Sequence, residues 1–479
     1  MVASYYFYMS WNPRYVLLIA ASTVITYIAG IFIEEMRDST GRINLVVLVS
    51  LVINLAILVY FKYTNFLLST VNQMIKWFHG AELGMVDIVL PVGISFYTFQ
   101  AIGYTIDVYR GEVKAERNLF KYALFVSFFP QLVAGPIERS KNLLTQMKES
   151  DKCTVWDYDR ITTGLITMLW GFFLKMVISD RISVYVDRVF DEYTAYNSLV
   201  LVLAAVGFAI QIYCDFGGYS AIAIGAAKVL GFDLIENFRM PYLATSISDF
   251  WKRWHISLSS WFRDYVYIPL GGNRGKPWKR YRNIMITFLV SGLWHGASWH
   301  FVVWGGLHGF MQVVEYGWKE ILGGRKRIFC QDVEKKQDTE KDASRKNPCI
   351  NTVVRFIQVM TTFALVVIAW VFFRAPSVKD AIFYIIKMFR LAEWLAFDWN
   401  MEYAVGMTSV EGWILLCSVV GLMMMDYFCN KTTQTAVLLM INMPLVVRWS
   451  VLLVLLFACV VFGIYGPGFD ASQFIYFQF

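Results

Sequence analysis

"YNSLVLVLAAVGFAIQIYCDFGGYSAIAIGAAKVLG", residues 196–231, is apolar almost throughout and holds a single carboxylate, Asp215, beside two glycines. A helix needs about 20 mainly apolar residues to cross a bilayer core, so the stretch reads as two apolar runs, 196–214 and 217–231, parted near that acid. Working outward, comparable runs precede it at 15–34, 43–61, 86–108, 119–137 and 161–179, and follow it at 283–294, 298–321, 352–373, 408–428 and 447–466. The pattern predicts an all-α polytopic integral membrane protein. Several runs are too short, or too interrupted by Gly and Pro, to cross alone. These read as re-entrant or half helices packed inside protein, where irregular backbone finds partners. About nine to eleven true crossings are expected. Composition agrees: 57% of the 479 residues are hydrophobic, 17% aromatic and only 16% charged, which excludes an ordinary soluble domain. Met1–Trp11 lacks a basic n-region and the first run is followed by no small-residue cleavage site, so no cleavable signal peptide is expected.

The net charge of +7 does not call for nucleic acid, and none is expected as a partner, because the basic residues follow membrane topology. Between Lys252 and Arg282 eight basic residues face one acid, Asp264, which puts this loop on the cytoplasmic side. Residues 323–347, "GGRKRIFCQDVEKKQDTEKDASRKN", are strongly polar and read as a mobile loop on the same side. That requires an even number of crossings, or a re-entrant pair, between 283 and 321. The whole of 1–479 is read as a single membrane domain containing this loop.

The seven cysteines stand singly, with no CxxC pair and no plausible disulfide framework, and the five histidines show no HExxH or similar spacing. No metal is expected. "PLGGNRGKPW" (269–278) is a Gly-rich turn and not a phosphate cradle, since Pro277 follows Lys276 where a phosphate-binding loop needs Ser or Thr.

An ionisable side chain is costly inside a membrane, so each one that remains is a candidate site. His295, in "SGLWHGASWHF" (291–301), lies between tryptophans in one of the most apolar parts of the chain. Apolar surroundings favour a neutral imidazole with one nitrogen open to a proton, the state that a general base requires. The alternative is a structural histidine bonded to a neighbouring helix. A second candidate is His255, in "SDFWKRWHISLSSWFRDYVYIPLGG" (248–272), where tryptophans and tyrosines alternate with Lys252, Arg253 and Arg263. The segment reads as an interfacial helix anchored by aromatic residues. It also reads as a basic docking face for an anionic cytoplasmic partner, a nucleotide-bearing thioester or an acidic carrier protein, with His255 pointing inward. His79 is expected at the interface. His300 and His308, two helical turns apart, are expected to pack, since Gly305, Gly306 and Gly309 suggest close helix contact. Asp215 reads as a hydrogen-bond acceptor for backbone exposed where a helix breaks.

Six stretches carry a family resemblance: "LPVGISFYTFQAIGYTIDVYRGE" (90–112), "FFPQLVAGPIERS" (128–140), "IYCDFGGYSAIAIG" (212–225), "ENFRMPYLATSISDFWKRWHISLSSWFRDYVYIPLGGNRG" (236–275), "SGLWHGASWHF" (291–301) and the terminal "FIYFQF" (474–479). The chain resembles the membrane-bound O-acyltransferases, in particular the bacterial branch that contains the alginate O-acetyltransferase membrane subunit. "RWHISLS" followed about forty residues later by "LWHG" is the most specific element. The resemblance implies a many-helix bundle with a central tunnel, in which a cytoplasmic thioester donor meets an acceptor reached from outside. It also implies that His295 is the essential residue and His255 a second functional position.

The implied chemistry suits these residues. Moving an acyl group from a thioester to a hydroxyl needs a base for the hydroxyl proton, which His295 would be, worth roughly 10²- to 10⁴-fold. A tunnel that excludes water protects the thioester from hydrolysis. Donors for the developing oxyanion are expected among Trp or Asn side chains and freed amides near 292–296. Trp294 and Asp215 are read as tunnel-lining or structural polar groups, and no bound cofactor is expected beyond the acyl donor, acetyl-CoA or an acyl carrier, as substrate. Departures exist: related acetyltransferases read "DFSGYSDMAIG" where this chain has Gly217 and Ala221, an acid that the D-alanyl branch also tends to lack. His300 stands where Thr or Asn is more usual, and relatives carry a membrane helix before the stretch matching "ASYYFYMSWNP" (3–13).

The expected function is transfer of an acyl group, foremost acetyl, to extracytoplasmic polysaccharide from the bacterial inner membrane, directly or through an acetyl-esterase-like partner. The alternatives are D-alanyl transfer to teichoic acid from an acidic carrier protein, and a transporter or scaffold without catalysis. A transporter would bury paired ionisable residues along a pathway, often built from inverted repeats, and the sequence shows no such repeat.

Overall fold

The computed structural model describes residues 1–133, 135–150, 154–331, 348–394 and 407–465. The terminal "FIYFQF" and residues 332–347 of the polar segment lie outside the described residues. Among those described, the chain forms helices and connecting segments with no strand. In order the principal helices are α1 (Val16–Glu35), α2 (Thr40–Leu58), α3 (Thr64–Trp77), α4 (Ile94–Arg110), α5 (Leu119–Ser127), α6 (Tyr158–Phe172), α7 (Asp180–Asp191) and α8 (Ser198–Val229). They continue with α9 (Ile247–Arg253), α10 (Ile256–Phe262), α11 (Pro277–His295), α12 (Trp299–Gln331), α13 (Pro348–Arg374), α14 (Val378–Met388), α15 (Ser409–Thr432) and α16 (Leu445–Phe462).

Seven helical stretches among the described residues are long and apolar enough to cross a membrane, which makes the chain a multi-pass membrane protein. Fewer stretches qualify than the nine to eleven crossings expected, and the reason is local. The runs 196–214 and 217–231 are one unbroken helix, α8, so Asp215 does not mark a helix end. The run 119–137 is broken at Phe128, whose extended backbone precedes Pro130. The run 86–108 becomes helical only at Ile94, after Gly93 in the left-handed region. The runs 283–294 and 298–321 form α11 and α12, neither of which is among the seven helical stretches apolar enough to cross. The first residues of the polar segment, 323–331, continue α12.

Two compact units can be described. The first comprises Met1–Asp180, Ile212–Asn237 and the described part of Val437–Phe479. Its helix contacts follow the small-residue rule of membrane packing, in which backbones approach where side chains are absent. Gly164 and Gly171 of α6 face Gly225 and Gly218 of α8, and a Cβ on Gly225 would stand 2.5 Å from the Gly164 carbonyl oxygen. The same helix pair holds a buried ion cluster. Lys175 lies on the π-helical stretch Phe173–Ser179, a local widening that often marks a functional or strained site. Its ammonium contacts Asp215 and lies 2.7 Å from Asp180. A cation with two carboxylates satisfies groups that would otherwise be very costly at this depth. In the "FFPQLVAGPIERS" stretch, Glu138 accepts from the Ile235 amide at 2.5 Å and the Asn142 side chain at 2.8 Å, pinning the segment after α8. Burial raises the Glu138 carboxyl to about 7.

The second unit comprises Arg181–Gln211 and Phe238–Ala436. Its centre is a hairpin of α11 and α12. A Cβ on Gly292 would fall 2.3 Å from the Phe301 carbonyl oxygen, and one on Gly305 2.3 Å from that of Phe288, so the two helices run antiparallel in near backbone contact. At the far end Tyr281 donates to Glu320 at 2.5 Å and Arg280 pairs with the same carboxylate. The open ends of the hairpin, Arg280–Tyr281 and Glu320, therefore lie side by side. From Asn283 to His295 the apolar part of α11 is only about 20 Å long at 1.5 Å per residue, short of a bilayer core.

Candidate functional site

The site is built at the tip of that hairpin. His295 is the last residue of α11, and Gly296 follows in extended conformation. Gly296 admits no side chain, because a Cβ there would lie 2.0 Å from the Phe301 ring. The turn can thus close tightly and hold His295 buried against α12. His255 is placed by a different device. It caps α10 in the left-handed region, at φ 43°, a conformation that costs a non-glycine residue free energy and persists only when its surroundings hold it. Ser246 caps α9 through the Asp249 amide, and the Arg239 amide donates to the Arg253 carbonyl, so both sides of the His255 turn are tied down.

These two local arrangements bring the histidines together. The His255 and His295 ring centroids lie 6.3 Å apart, with Trp294 5.0 Å from His295 and 6.2 Å from His255. Trp304 stands edge-on to His295 at 4.9 Å and Phe373 at 5.6 Å. Behind them Trp304 stacks on Trp370, which meets Trp254 at 5.0 Å. His255 is fully buried, and burial lowers its imidazole to about 3, so it is neutral at any physiological pH. A buried, neutral imidazole has one nitrogen able to accept a proton and the other able to orient a neighbour.

A cavity of about 390 Å³ adjoins this enclosure. Lys252 and Arg263 line it together with Ser259, Thr287, Gln312 and Ser291. Ser291 lies one turn before His295 on the same face of α11. Lys252 is exposed, and Arg263 is more than half exposed with its guanidinium on Asp264 at 2.8 Å. The structure does not bring Arg253 to the cavity: its side chain bonds Asp249 at 3.0 Å and Asn430 at 3.2 Å. Asp215 belongs to the Lys175 cluster of the first unit, and its carboxylate serves an ion pair where a break in the helix was expected.

Of the remaining histidines, His300 bonds the Phe372 carbonyl at 3.0 Å and His308 accepts from the Trp251 indole at 3.2 Å, both consistent with packing. His79 is exposed just beyond α3. Sequence reasoning missed Trp304, Trp370, Phe373 and Lys175. Trp304 falls four residues before His308 and nine after His295, a spacing visible on a helical wheel once the hairpin is assumed. Lys175 obeys the same rule that singled out Asp215, a charge within an apolar run. Trp370 and Phe373 reach the site through long-range packing and carry no local signal.

The sequence profile of MBOAT, the membrane-bound O-acyltransferase family, matches residues 112–322, a span that includes both His255 and His295. The probable alginate O-acetylase AlgI of Pseudomonas aeruginosa is 36% identical over 438 residues, covering 91% of this chain and 77% of that protein. The peptidoglycan O-acetyltransferase of Helicobacter pylori is 33% identical over 406 residues, covering 80% of this chain and 71% of that protein. The teichoic acid D-alanyltransferase of Bacillus subtilis is 31% identical over 230 residues, covering 46% of this chain and 58% of that protein.

Proposed function

The chain belongs to the membrane-bound O-acyltransferase family and is an O-acyltransferase, and from that premise we propose that it moves an acetyl group from a cytoplasmic thioester to hydroxyls of a cell-surface polysaccharide. The observation that carries this reading is the pairing of His295 with His255 inside an aromatic enclosure, next to a cavity edged by Lys252 and Arg263. His295 is the general base. It takes the proton of the acceptor hydroxyl as the oxygen attacks the thioester carbon, and returns it to the departing thiolate. His255, neutral and held in a strained turn, is a positioning residue for this centre. Lys252 and Arg263 attract the anionic donor, acetyl-CoA or a pantetheine-bearing acyl carrier, in a way that salt should weaken. The tryptophan walls keep water from the thioester.

The acceptor is an envelope polymer, in keeping with relatives named for alginate and peptidoglycan acetylation. The enzyme acts from the bacterial inner membrane, directly or by handing the acetyl group to an extracytoplasmic esterase-like partner. A second reading, D-alanyl transfer from an acidic carrier, has its support in the Bacillus subtilis relative and in Ala221. The acetyl reading is preferred because the O-acetylating relatives match far more of the chain.

The test is the ester-linked acyl content of extracellular polymers, released with mild base and identified by mass. Cells carry the wild type, a deletion, or His295→Ala at matched membrane levels. Acetate lost in both deletion and variant is expected. D-alanine lost instead would move the chain to the second reading, and unchanged acyl content in His295→Ala would remove that residue from catalysis.

A further inference from the structure

Three neighbouring rings, of which Trp304 abuts His295, each carry a buried N–H group with no hydrogen-bond acceptor among the described residues: Trp304 Nε1, Trp370 Nε1 and His308 Nε2. All three side chains are essentially inaccessible. The His308 tautomer follows from its one partner. The Trp251 indole donates to Nδ1, so Nδ1 bears no hydrogen and the ring proton sits on Nε2, which is a donor. The rings are mutually close. Trp304 lies 5.1 Å from His308 and 5.5 Å from Trp370, and His308 lies 6.4 Å from Trp370. Trp304 also meets His295 at 4.9 Å, so the donor cluster begins at the ring of the proposed base.

Buried N–H groups are nearly always paired, and an N–H facing an aromatic ring recovers only a small part of a hydrogen bond. Three such donors in adjoining rings, with the same sign and no carbonyl or carboxylate to receive them, select an acceptor oxygen that the protein does not itself supply. Donors set in advance, in a dry enclosure, are the arrangement that stabilises negative charge appearing on oxygen during acyl transfer. They are held rigidly. Trp304 and His308 are four residues apart on one face of α12, Gly305 and Gly309 press that helix against α11, and Phe250 stacks on His308 at 6.1 Å.

We propose that the N–H groups of Trp304, His308 and Trp370 form the donor set that receives the acyl oxygen in the transition state. The inference rests on the acyl-transfer reading and adds residues to it. The acceptor hydroxyl oxygen bonds to the thioester carbonyl carbon while its proton passes to His295. The carbonyl π pair moves onto oxygen, where the three N–H groups meet it. The pair then returns, the C–S bond breaks, and the thiolate takes the proton from His295. These three residues act where charge develops, so their loss falls on kcat more than on donor binding.

The experiment uses the full-length protein in detergent, acetyl-CoA as donor probe with an alginate oligosaccharide as hydroxyl acceptor, and thiol release as readout. Trp304→Phe and Trp370→Phe keep a ring and delete only the N–H. His308→Leu deletes the donor, while His308→Gln restores an acceptor for Trp251 and a donor beyond it. Trp318→Phe, at an exposed position of α12, is the control. The expected result is a fall in kcat of about a hundredfold for Trp304→Phe, with KM within threefold of wild type and an unchanged melting temperature. His308→Gln should recover at least tenfold over His308→Leu. If all the variants keep kcat within threefold while wild type turns over and His295→Ala does not, the donor set is wrong and the acyl-transfer reading stands. Wild type indistinguishable from His295→Ala, with acyl content of the polymer also unchanged in cells, would overturn both.

Discussion

At the scale of single residues the site brings two histidines to 6.3 Å, and the burial of one of them has a measurable consequence. His255 is neutral because it is buried, with its imidazole pushed from 6.5 down to about 3. This shift has a consequence for stability. Between pH 6.5 and 3 the unfolded chain binds a proton at this position and the folded chain does not, so stability is full above pH 6.5 and is lost as pH falls towards 3. The slope is at most about 1.4 kcal/mol per pH unit. His255→Asn removes the titration and keeps a residue that tolerates the left-handed turn. Melting temperature in detergent, followed from pH 7.5 to 5, should fall less steeply in His255→Asn than in wild type; parallel curves would mean that His255 does not titrate on unfolding. The cations are tested separately. Charge reversal at Lys252 and Arg263 together should raise KM for the thioester about tenfold at low salt and less at high salt, while the same reversal at Arg253 should cost stability instead, because it breaks the Asp249 and Asn430 contacts. Equal KM in the double variant and wild type would detach the cavity from donor capture.

At the scale of elements the hairpin of α11 and α12 decides whether a site exists. Its contacts are backbone to backbone, and that makes them intolerant of a single methyl group. Gly296→Ala sets a Cβ 2.0 Å from a Phe301 ring carbon, so the ring or the turn must move and His295 moves with it. The expected outcome is loss of thiol release together with a melting temperature lowered by several degrees, from overpacking of roughly 1–3 kcal/mol. Gly421→Ala makes the opposite case. Nothing lies within 4 Å of its Cβ in α15, so the substitution should stabilise by about 0.5–1 kcal/mol, read as a higher melting temperature with unchanged activity. Much of this was legible beforehand. "LWHG" and "RWHISLS" marked the two histidines, and the shortness of the 283–294 run already suggested a half helix. What could not be read was the unbroken α8. Asp215 and two glycines in an apolar run look like a break, but the acid is met by Lys175 and Gly218 by Gly171, both forty or more residues earlier. Partners at such separations leave no local trace. The same holds for Trp370 and Phe373, which approach His295 from α13 through packing alone.

At the scale of the whole molecule the reaction proposed above joins a donor made in the cytoplasm to an acceptor outside it, and a helix too short to cross would serve that purpose better than one that spans. On the charge pattern, the basic residues from Lys252 to Arg282 would set one end of α11 on the cytoplasmic side. The contact of Arg280 and Tyr281 with Glu320 returns α12 to that side, and His295 sits at the other end of the hairpin, about 20 Å of helix away. An acyl group entering by the cavity beside Lys252 comes within about one helical turn of that base, because Ser291 lines the same cavity. The sidedness is open to direct measurement. In a variant freed of native cysteines, Lys279→Cys and Lys319→Cys, both at exposed positions, should react with a membrane-impermeant maleimide only after the inner membrane is permeabilised. Labelling of both in intact spheroplasts would invert the orientation and place the basic cavity outside, where no thioester donor is made. Labelling of one alone would mean that α11 and α12 end on opposite sides, a result that the Arg280–Glu320 pair does not permit. The paired outcome, cytoplasmic at both positions, would put both polar ends of the hairpin on the donor side and His295 at its far tip.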